Sequence, residues 1–192
     1  MSALLFWLSA ALATFCTLLA ASWFVIELTA IKARWVSDGA PCSTTALWLG
    51  CPVHTKAFQA RVEGLQELLG SSTLQRLVIS GTKEEVEACI SLLRVPENVT
   101  LRADTEGYRT YASLVSLGRE ETAVTVISHR FHLKRVAFLA NGLNLSTTLY
   151  PVGEELGPWT SRGRWREAFA RLRAVIDRLF PYSEHEQQRK HQ

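Results

Sequence analysis

The chain has 192 residues, which is long enough for one domain with an appendage but not for two full domains. Its 21 lysines and arginines nearly balance 18 aspartates and glutamates, and this argues against bulk electrostatic binding of nucleic acid. The composition is 47% hydrophobic, and the apolar N-terminal end of the chain raises that figure.

The N-terminal stretch over residues 3–26 contains no charged side chain. About 20 apolar residues at roughly 1.5 Å each cross a bilayer core, so this stretch is long enough to span a membrane. Trp7 and Trp23 lie near its ends, where amphipathic rings suit the headgroup level. A cleavable signal peptide is the alternative, but its apolar core is usually about 7–15 residues long and follows a basic segment. The sequence therefore predicts an uncleaved anchor over 1–31 and a polar linker over 32–43.

Short apolar runs alternate with helical patterns after the linker. The predicted strands cover 44–50, 74–80, 97–104, 123–128 and 146–152, and the predicted helices cover 55–69, 83–94, 108–118 and 130–142. This alternation is typical of right-handed βαβ units and a parallel sheet. We expect a doubly wound, Rossmann-like α/β domain of about five mostly parallel strands over 44–180, with a polar tail at 181–192.

A strongly amphipathic helix is predicted over 163–180. Its apolar residues share one face, and five arginines lie elsewhere on the helix. One interpretation is a C-terminal helix that packs on the sheet and exposes its arginines to water. The other is a basic helix that lies on anionic lipid beside the anchor.

The cysteines and histidines give little support to a metal site. None of the four cysteines belongs to a C-x-x-C pair, and His129 and His132 lack a clear third ligand. No metal is therefore predicted. A disulfide between Cys42 and Cys51 stays open, because it depends on whether the domain is exported.

The carboxyl ends of the predicted strands carry polar residues that would meet at one edge of the sheet, where ligands bind in open parallel sheets. These candidate residues are Gly50, Ser80, Gly81, Asp104, Arg109, Thr110, Ser128, Arg130 and His132. Gly50 and Gly81 would let backbone amides approach a ligand, or they are plain turns. The two arginines are suited to a phosphate or carboxylate. Asp104 and His132 are the candidate catalytic residues for proton transfer, although Asp104 is equally suited to cap a helix.

The familiar glycine-rich nucleotide and dinucleotide motifs and the G-x-S-x-G hydrolase motif are absent from the sequence, so no cofactor is indicated. The chain nevertheless resembles the SanA-type branch of the YdcF/ElyC family, a bacterial group built on a domain of unknown function. The resemblance covers about 44–152, and a single N-terminal anchor is also typical of that branch. The matching segments are LWLGCP at 47–52, FQARVEGL at 58–65, LVISG at 77–81, ADTEGYRTYASLV at 103–115 and VISHRFHLKRVAFLA at 126–140.

This resemblance implies that Arg61, Ser113 and Arg135 line the same crevice as the strand-end residues. It also implies an acidic residue at the start of the second helix, where family members usually have a longer loop, and Glu84 or Glu85 is the candidate here. The implied location is the bacterial inner membrane, single-pass, with a periplasmic domain. Lys32 and Arg34 weakly favour the opposite orientation.

Three functions follow as hypotheses. The first is a contribution to the cell-envelope barrier, through binding of an anionic small molecule or a phosphorylated, lipid-linked precursor at the strand edge. The second is a nucleotide- or S-adenosylmethionine-type binder or transferase, which the fold class favours and the missing glycine motif opposes. The third is a structural protein that docks a membrane complex through 163–180.

Overall fold

The structure is a computed structural model, and it describes residues 2–36, 42–71, 74–105, 110–153 and 161–181. Internal contacts divide the chain into two compact units. One unit combines Met1–Leu28 with Pro158–Gln192, and the other comprises Thr29–Gly157. The helix predicted over 163–180 is thus grouped with the N-terminal helix, whereas the sequence placed it in the α/β domain.

The Thr29–Gly157 unit is built on a six-stranded, fully parallel sheet flanked by helices. Its strands, in chain order, are β1 (Arg34–Trp35), β2 (Thr45–Leu49), β3 (Arg76–Ser80), β4 (Thr100–Asp104), β5 (Ala123–Ser128) and β6 (Ser146–Pro151). Four helices follow β2 to β5 in turn, namely α2 (Lys56–Ser71), α3 (Lys83–Leu92), α4 (Thr110–Gly118) and α5 (Arg130–Asn141). The predicted α/β class and parallel sheet are confirmed.

The sheet order is β1-β6-β5-β2-β3-β4, so the chain builds outward from β2 in one direction and then returns to its other side with β5. The point where the order reverses, between β2 and β5, is where a crevice opens in doubly wound sheets. Every residue of β2 is buried, and five of the six residues of β5 are buried. This is expected of central parallel strands that are covered on both faces.

The core beside β2 is formed by large apolar side chains from the sheet and from α2. The rings of Trp48 and Phe58 meet edge to face with centroids 5.8 Å apart, a favourable arrangement for two quadrupoles. The buried indole Nε1 of Trp48 also donates a 3.2 Å hydrogen bond to the carbonyl oxygen of Arg61. Leu65, Leu77 and Ile79 are fully buried in the same cluster. This packing fixes α2, and with it Arg61, against the carboxyl end of β2.

The short strand β1 lies in the segment that the sequence assigned to the linker. It pairs with the middle of β6, joining Arg34 to Thr148 and Trp35 to Leu149. The Trp35 indole Nε1 donates a 3.1 Å hydrogen bond to the carbonyl oxygen of Ala30. The expected count of about five strands therefore becomes six, because two residues are too few to produce a periodic signal.

The other unit contains α1 (Ser2–Ile31, whose last residues belong to the sheet unit) and α6 (Ser161–Leu179). The segment Ala3–Ile31 of α1 is long and apolar enough to cross a membrane. An 18-residue window of this helix has none of its residues buried, so its apolar surface is uncovered.

Candidate functional site

Arg61, on α2, reaches the point where the sheet order reverses. Its side chain is only 4% exposed. One guanidinium nitrogen, Nη1, donates hydrogen bonds of 2.6 and 2.8 Å to the carbonyl oxygens of Leu49 and Gly50, which end β2. The Nε atom donates a third bond, of 2.8 Å, to Nδ1 of His129, the residue that follows β5. Arg61 therefore joins the ends of β2 and β5 and holds a positive charge between them.

His129 is 2% exposed and is the N-cap residue of α5. Because its Nδ1 accepts the bond from Arg61, the proton of the neutral ring lies on Nε2. Burial, followed by the nearby positive charge of Arg61, lowers the pKa of His129 to about 4. The ring is therefore neutral at physiological pH. Its Nε2–H group is buried and has no hydrogen-bond partner among the described residues.

The glycines at the ends of β2 and β3 face each other, and a carboxylate lies over both of them. A Cβ atom added at Gly50 would lie 2.5 Å from Oε2 of Glu85, and one added at Gly81 would lie 2.7 Å from the same oxygen. The backbone amides of the two glycines donate to the carbonyl oxygens of Ser80 and Asp104. These amides therefore extend the bonding of the sheet, and the glycines provide close approach for Glu85 instead of amides for a ligand.

Glu85 is held in place by a capping box at the start of α3. Its Oε2 accepts a 3.0 Å bond from the Thr82 amide, and its own amide donates 3.2 Å to Thr82 Oγ1. Glu84 is exposed, so Glu85 is the acidic residue at this edge. A second anion is disfavoured directly over the glycine pair, because the carboxylate is already there.

A chain of hydrogen bonds connects the ends of β3 and β4 through α4. Ser113 Oγ donates a 3.0 Å bond to Oδ2 of Asp104 and lies 2.7 Å from Ser80 Oγ. Both serines are buried and Asp104 is half-buried. The geometry orders the proton positions, because the carboxylate accepts from Ser113 and Ser113 then accepts from Ser80.

His132 lies between two hydroxyls, in the first turn of α5. Its Nδ1 is 3.1 Å from Ser128 Oγ, and its Nε2 is 3.1 Å from Thr110 Oγ1. A neutral imidazole donates through one nitrogen and accepts through the other, so the ring can relay a proton between the two hydroxyls. The structure thus brings Thr110, Ser128 and His132 together, with His132 half-buried.

The N-terminus of α5 differs from those of α2 and α3 in its capping. Thr55 Oγ1 accepts from the Phe58 amide at the start of α2, and α3 has the capping box, but the N-cap residue of α5 makes no side-chain capping bond. The partial positive charge of a helix N-terminus therefore adds to that of Arg61. Arg130 is exposed at the first position of α5, and its guanidinium carbon lies 4.8 Å from the centre of the Trp35 ring.

Of two further candidate residues, Arg135 is described by the structure and Arg109 is not. Arg135 is half-buried in the second turn of α5. Arg109 lies outside the described residues, so its predicted role as an anion ligand stays a prediction.

The cysteines are all thiols, including Cys42 and Cys51. Burial raises the pKa of the Cys51 thiol and raises that of Cys89 to about 12, so neither is activated as a thiolate. In the described part of the chain, no three His, Cys, Asp or Glu residues are grouped as metal ligands.

The strand-end residues that the sequence singled out lie at one edge of the sheet, but the sequence did not identify the roles of two residues there. The sequence suggested His129 only as a possible metal ligand together with His132. The sequence around them does not show that His129 contacts Arg61 while His132 contacts Thr110. Glu85 was one of two alternatives. Its position three residues after Thr82 is the capping-box signal that distinguishes it from Glu84.

No family model, no curated protein and no solved structure matches this chain. The resemblance to the SanA-type branch of the YdcF/ElyC family stays a hypothesis drawn from the segments quoted above.

Proposed function

We propose that this protein is a membrane-anchored component of the bacterial cell-envelope barrier, and that it binds a phosphorylated envelope precursor or lipid carrier beyond the carboxyl ends of β2 and β5. The observation that carries the proposal is the buried guanidinium of Arg61 at the reversal point of the sheet. A fixed positive charge in a poorly solvated position attracts an anion more strongly than a surface arginine does.

Three neighbouring groups support an anionic ligand. The N-terminus of α5 lacks a side-chain cap, the neutral ring of His129 carries an N–H donor, and Arg130 offers an exposed guanidinium braced by Trp35. All three lie on the β5 side of the reversal point, whereas Glu85 covers the glycines on the β3 side. The ligand phosphate is therefore expected near β5 and α5.

The membrane location supports a lipid-linked ligand. A helix long and apolar enough to cross a bilayer precedes the sheet unit in the chain, which would tether the sheet unit to a membrane. The family resemblance favours a periplasmic domain in the inner membrane. In an enzymatic form of this proposal, His132 with its two hydroxyl neighbours, or Asp104, would transfer the proton.

A binding experiment tests the proposal on the full chain in nanodiscs. The probe is a short-chain polyprenyl phosphate, with the corresponding polyprenol as the matched control. We expect the phosphate to bind and the alcohol not to bind, and Arg130→Gln to weaken binding by about tenfold, as loss of one charge-assisted hydrogen bond would. Arg94→Gln, at an exposed arginine after α3, is the control and should leave affinity unchanged. Equal binding of alcohol and phosphate would refute the proposal, and stabilisation by adenosine ligands alone would favour the nucleotide-type alternative.

A cellular experiment tests the envelope role separately. In a deletion strain, the native gene is expected to restore resistance to a large antibiotic that the intact envelope excludes. Arg130→Ala and His132→Ala should fail to restore it at native protein levels, whereas Arg94→Ala should succeed. Full restoration by both site variants would rule out a role for this edge of the sheet.

A further inference from the structure

The helix α6 buries charged side chains and exposes apolar ones, which is the reverse of a surface helix on a water-soluble protein. Its buried residues include Glu167, Arg171 and Asp177, whereas its exposed residues include Trp165 and Leu179. Arg171 is 1% exposed and Glu167 is 4% exposed, against 59% for Trp165 and 66% for Leu179. A surface helix in water normally buries its apolar face and exposes its charges.

The reversal extends from Trp165 to Leu179, the part of α6 whose side-chain exposure the structure describes. At about 100° per residue, the buried positions fall within an arc of about 120°, and the exposed apolar positions fall within about 80° on the opposite side. The buried positions are Glu167, Arg171, Ala174 and Asp177, and the exposed apolar positions are Trp165, Phe169, Ile176 and Leu179. Two separate faces, and not a few scattered residues, therefore have this inverted exposure.

Two of the buried charges of α6, Glu167 and Arg171, are paired with each other and with α1, and Asp177 is paired with Arg173 at 2.8 Å. Arg171 Nε lies 3.0 Å from Glu167 Oε1, and its Nη1 lies 2.9 Å from Glu27 Oε1. The guanidinium carbon of Arg171 also lies 3.8 Å from the centre of the Trp23 ring. Ionisable side chains of helices in lipid turn inward and pair in this way, because an unpaired charge facing hydrocarbon is costly.

The exposed apolar face of α6 is continuous with the uncovered apolar surface of α1. The ring of Phe169 lies 6.0 Å from that of Phe15, and Trp165 stacks against Phe169 at 6.3 Å. Arg166 and Arg173 are exposed beside this face. Long basic side chains at such a margin reach phosphate headgroups while their stems stay in the apolar layer.

We propose that α6 is a second membrane-embedded element, packed beside the C-terminal half of α1, with the face of Trp165, Phe169, Ile176 and Leu179 in contact with lipid acyl chains. The Arg171–Glu27–Glu167 cluster holds the two helices together on the side away from lipid. A second copy of the chain would also cover an apolar face, but the continuity with α1 and the flanking arginines favour lipid.

Spin-label accessibility on the full chain tests this assignment. The background is Cys16→Ala with Cys42→Ser, which retains the buried Cys51 and Cys89. Labels are placed at Ile176→Cys and Leu179→Cys, with Glu87→Cys on exposed α3 as the control, in vesicles of phosphatidylethanolamine and phosphatidylglycerol.

Oxygen partitions into acyl chains and a polar nickel chelate stays in water, so their collision rates with the label report its surroundings. We expect both α6 labels to collide severalfold more with oxygen than with the chelate, and the Glu87→Cys label to show the reverse. A chelate-accessible α6 label would place this face in water. A label shielded from both agents would mean that protein, such as a second copy, covers it. Either result would overturn the proposal.

A second measurement avoids any introduced cysteine. Brominated lipids quench the fluorescence of tryptophans that lie among acyl chains. In the otherwise native chain, Trp165→Phe should reduce the quenchable fraction of the emission. An unchanged quenchable fraction would contradict the lipid contact, independently of whether the labelled variants fold.

Discussion

Arg61 and His129 form a buried hydrogen bond of 2.8 Å that joins α2 to the end of β5. The bond selects the Nε2–H tautomer of His129 and keeps a guanidinium between the two central strands. One contact therefore links the packing of the sheet to a buried positive charge at its carboxyl edge, and the first two predictions test its two partners.

The first prediction concerns acid stability. The pKa of His129 is lowered from 6.5 to about 4, so the folded chain binds this proton less tightly than the unfolded chain does. The stabilisation is fully present above pH 6.5 and is lost as pH falls from there towards 4. A shift of this size corresponds to at most about 3 kcal/mol of unfolding free energy. Urea unfolding of the full chain in detergent, followed by near-ultraviolet circular dichroism, measures it.

Two histidine substitutions serve as the test and the control for acid stability. His129→Gln retains an acceptor for Arg61 but cannot titrate, so its stability should vary less between pH 6.5 and 4. His54 is exposed, and His54→Gln should keep the native pH dependence. If the unfolding free energy of His129→Gln fell with pH as steeply as that of the native chain, His129 would not be the group responsible for the loss of stability in acid.

The second prediction concerns the planar geometry of Arg61. Arg61→Lys keeps the positive charge. The lysine ammonium lacks the planar guanidinium that bonds Leu49, Gly50 and His129 at the same time. Leaving buried acceptors unsatisfied should lower the unfolding free energy by about 1–3 kcal/mol. Arg94→Lys, at an exposed site, should change it by less than about 0.5 kcal/mol. A neutral effect of Arg61→Lys in the same urea experiment would contradict the geometry.

The third prediction compares two glycines. A Cβ at Gly50 would lie 3.0 Å from the Gly81 Cα atom as well as near Glu85, whereas a Cβ at Gly70 meets nothing within 4 Å. Gly70→Ala, on α2, should therefore stabilise the chain by about 0.5–1 kcal/mol, and Gly50→Ala should destabilise it. Adding Glu85→Ala should recover only part of the Gly50→Ala loss, since the backbone contact remains. Thermal unfolding of the four proteins gives the comparison.

The fourth prediction concerns the ion cluster of the two long helices. Arg171→Met removes the cation that contacts Glu27 and Glu167 and should loosen α6, because breaking a buried ion pair by removing one partner costs about 3–5 kcal/mol. Replacing all three charges together, as Glu27→Leu, Glu167→Leu and Arg171→Met, should restore the packing. Protease sensitivity of α6 in vesicles reports both effects. Equal resistance of the native chain and Arg171→Met would show that the cluster does not hold α6.

The sequence predicted the strands and helices whose apolar pattern extends over several residues. The apolar runs of β2 and β5 and the helical spacing of α2 and α5 were sufficient, because burial on both faces leaves few polar letters in a central strand. The third predicted strand started too early, at 97, because Val99 closes a turn onto Pro96 before β4 begins at Thr100. β1 gave no signal, since it is defined by its pairing with β6.

The placement of the candidate residues along one edge of the sheet was predictable, but the contacts among their side chains were not. Strand ends locate the edge, yet the direction of Arg61 depends on the packing of α2 and was implied only by resemblance. For α6, periodicity showed two faces and could not show which of them is buried, because the pattern is the same in water and in lipid. The buried Arg171 is visible only in the folded chain.

The two outer edges of the sheet are protected in different ways. On one side, β1 pairs with the middle of β6. Two of the six residues of β6 are therefore covered on the side that faces away from β5. The opposite edge, β4, carries the charged Arg102 and Asp104, and Arg102 is paired with Glu120 at 2.8 Å. Open strand edges recruit other chains, and a partner strand or charged side chains prevent this. Arg34 and Trp35, which follow α1, occupy part of the outer side of β6, and we expect their deletion to expose that side to pairing with other chains.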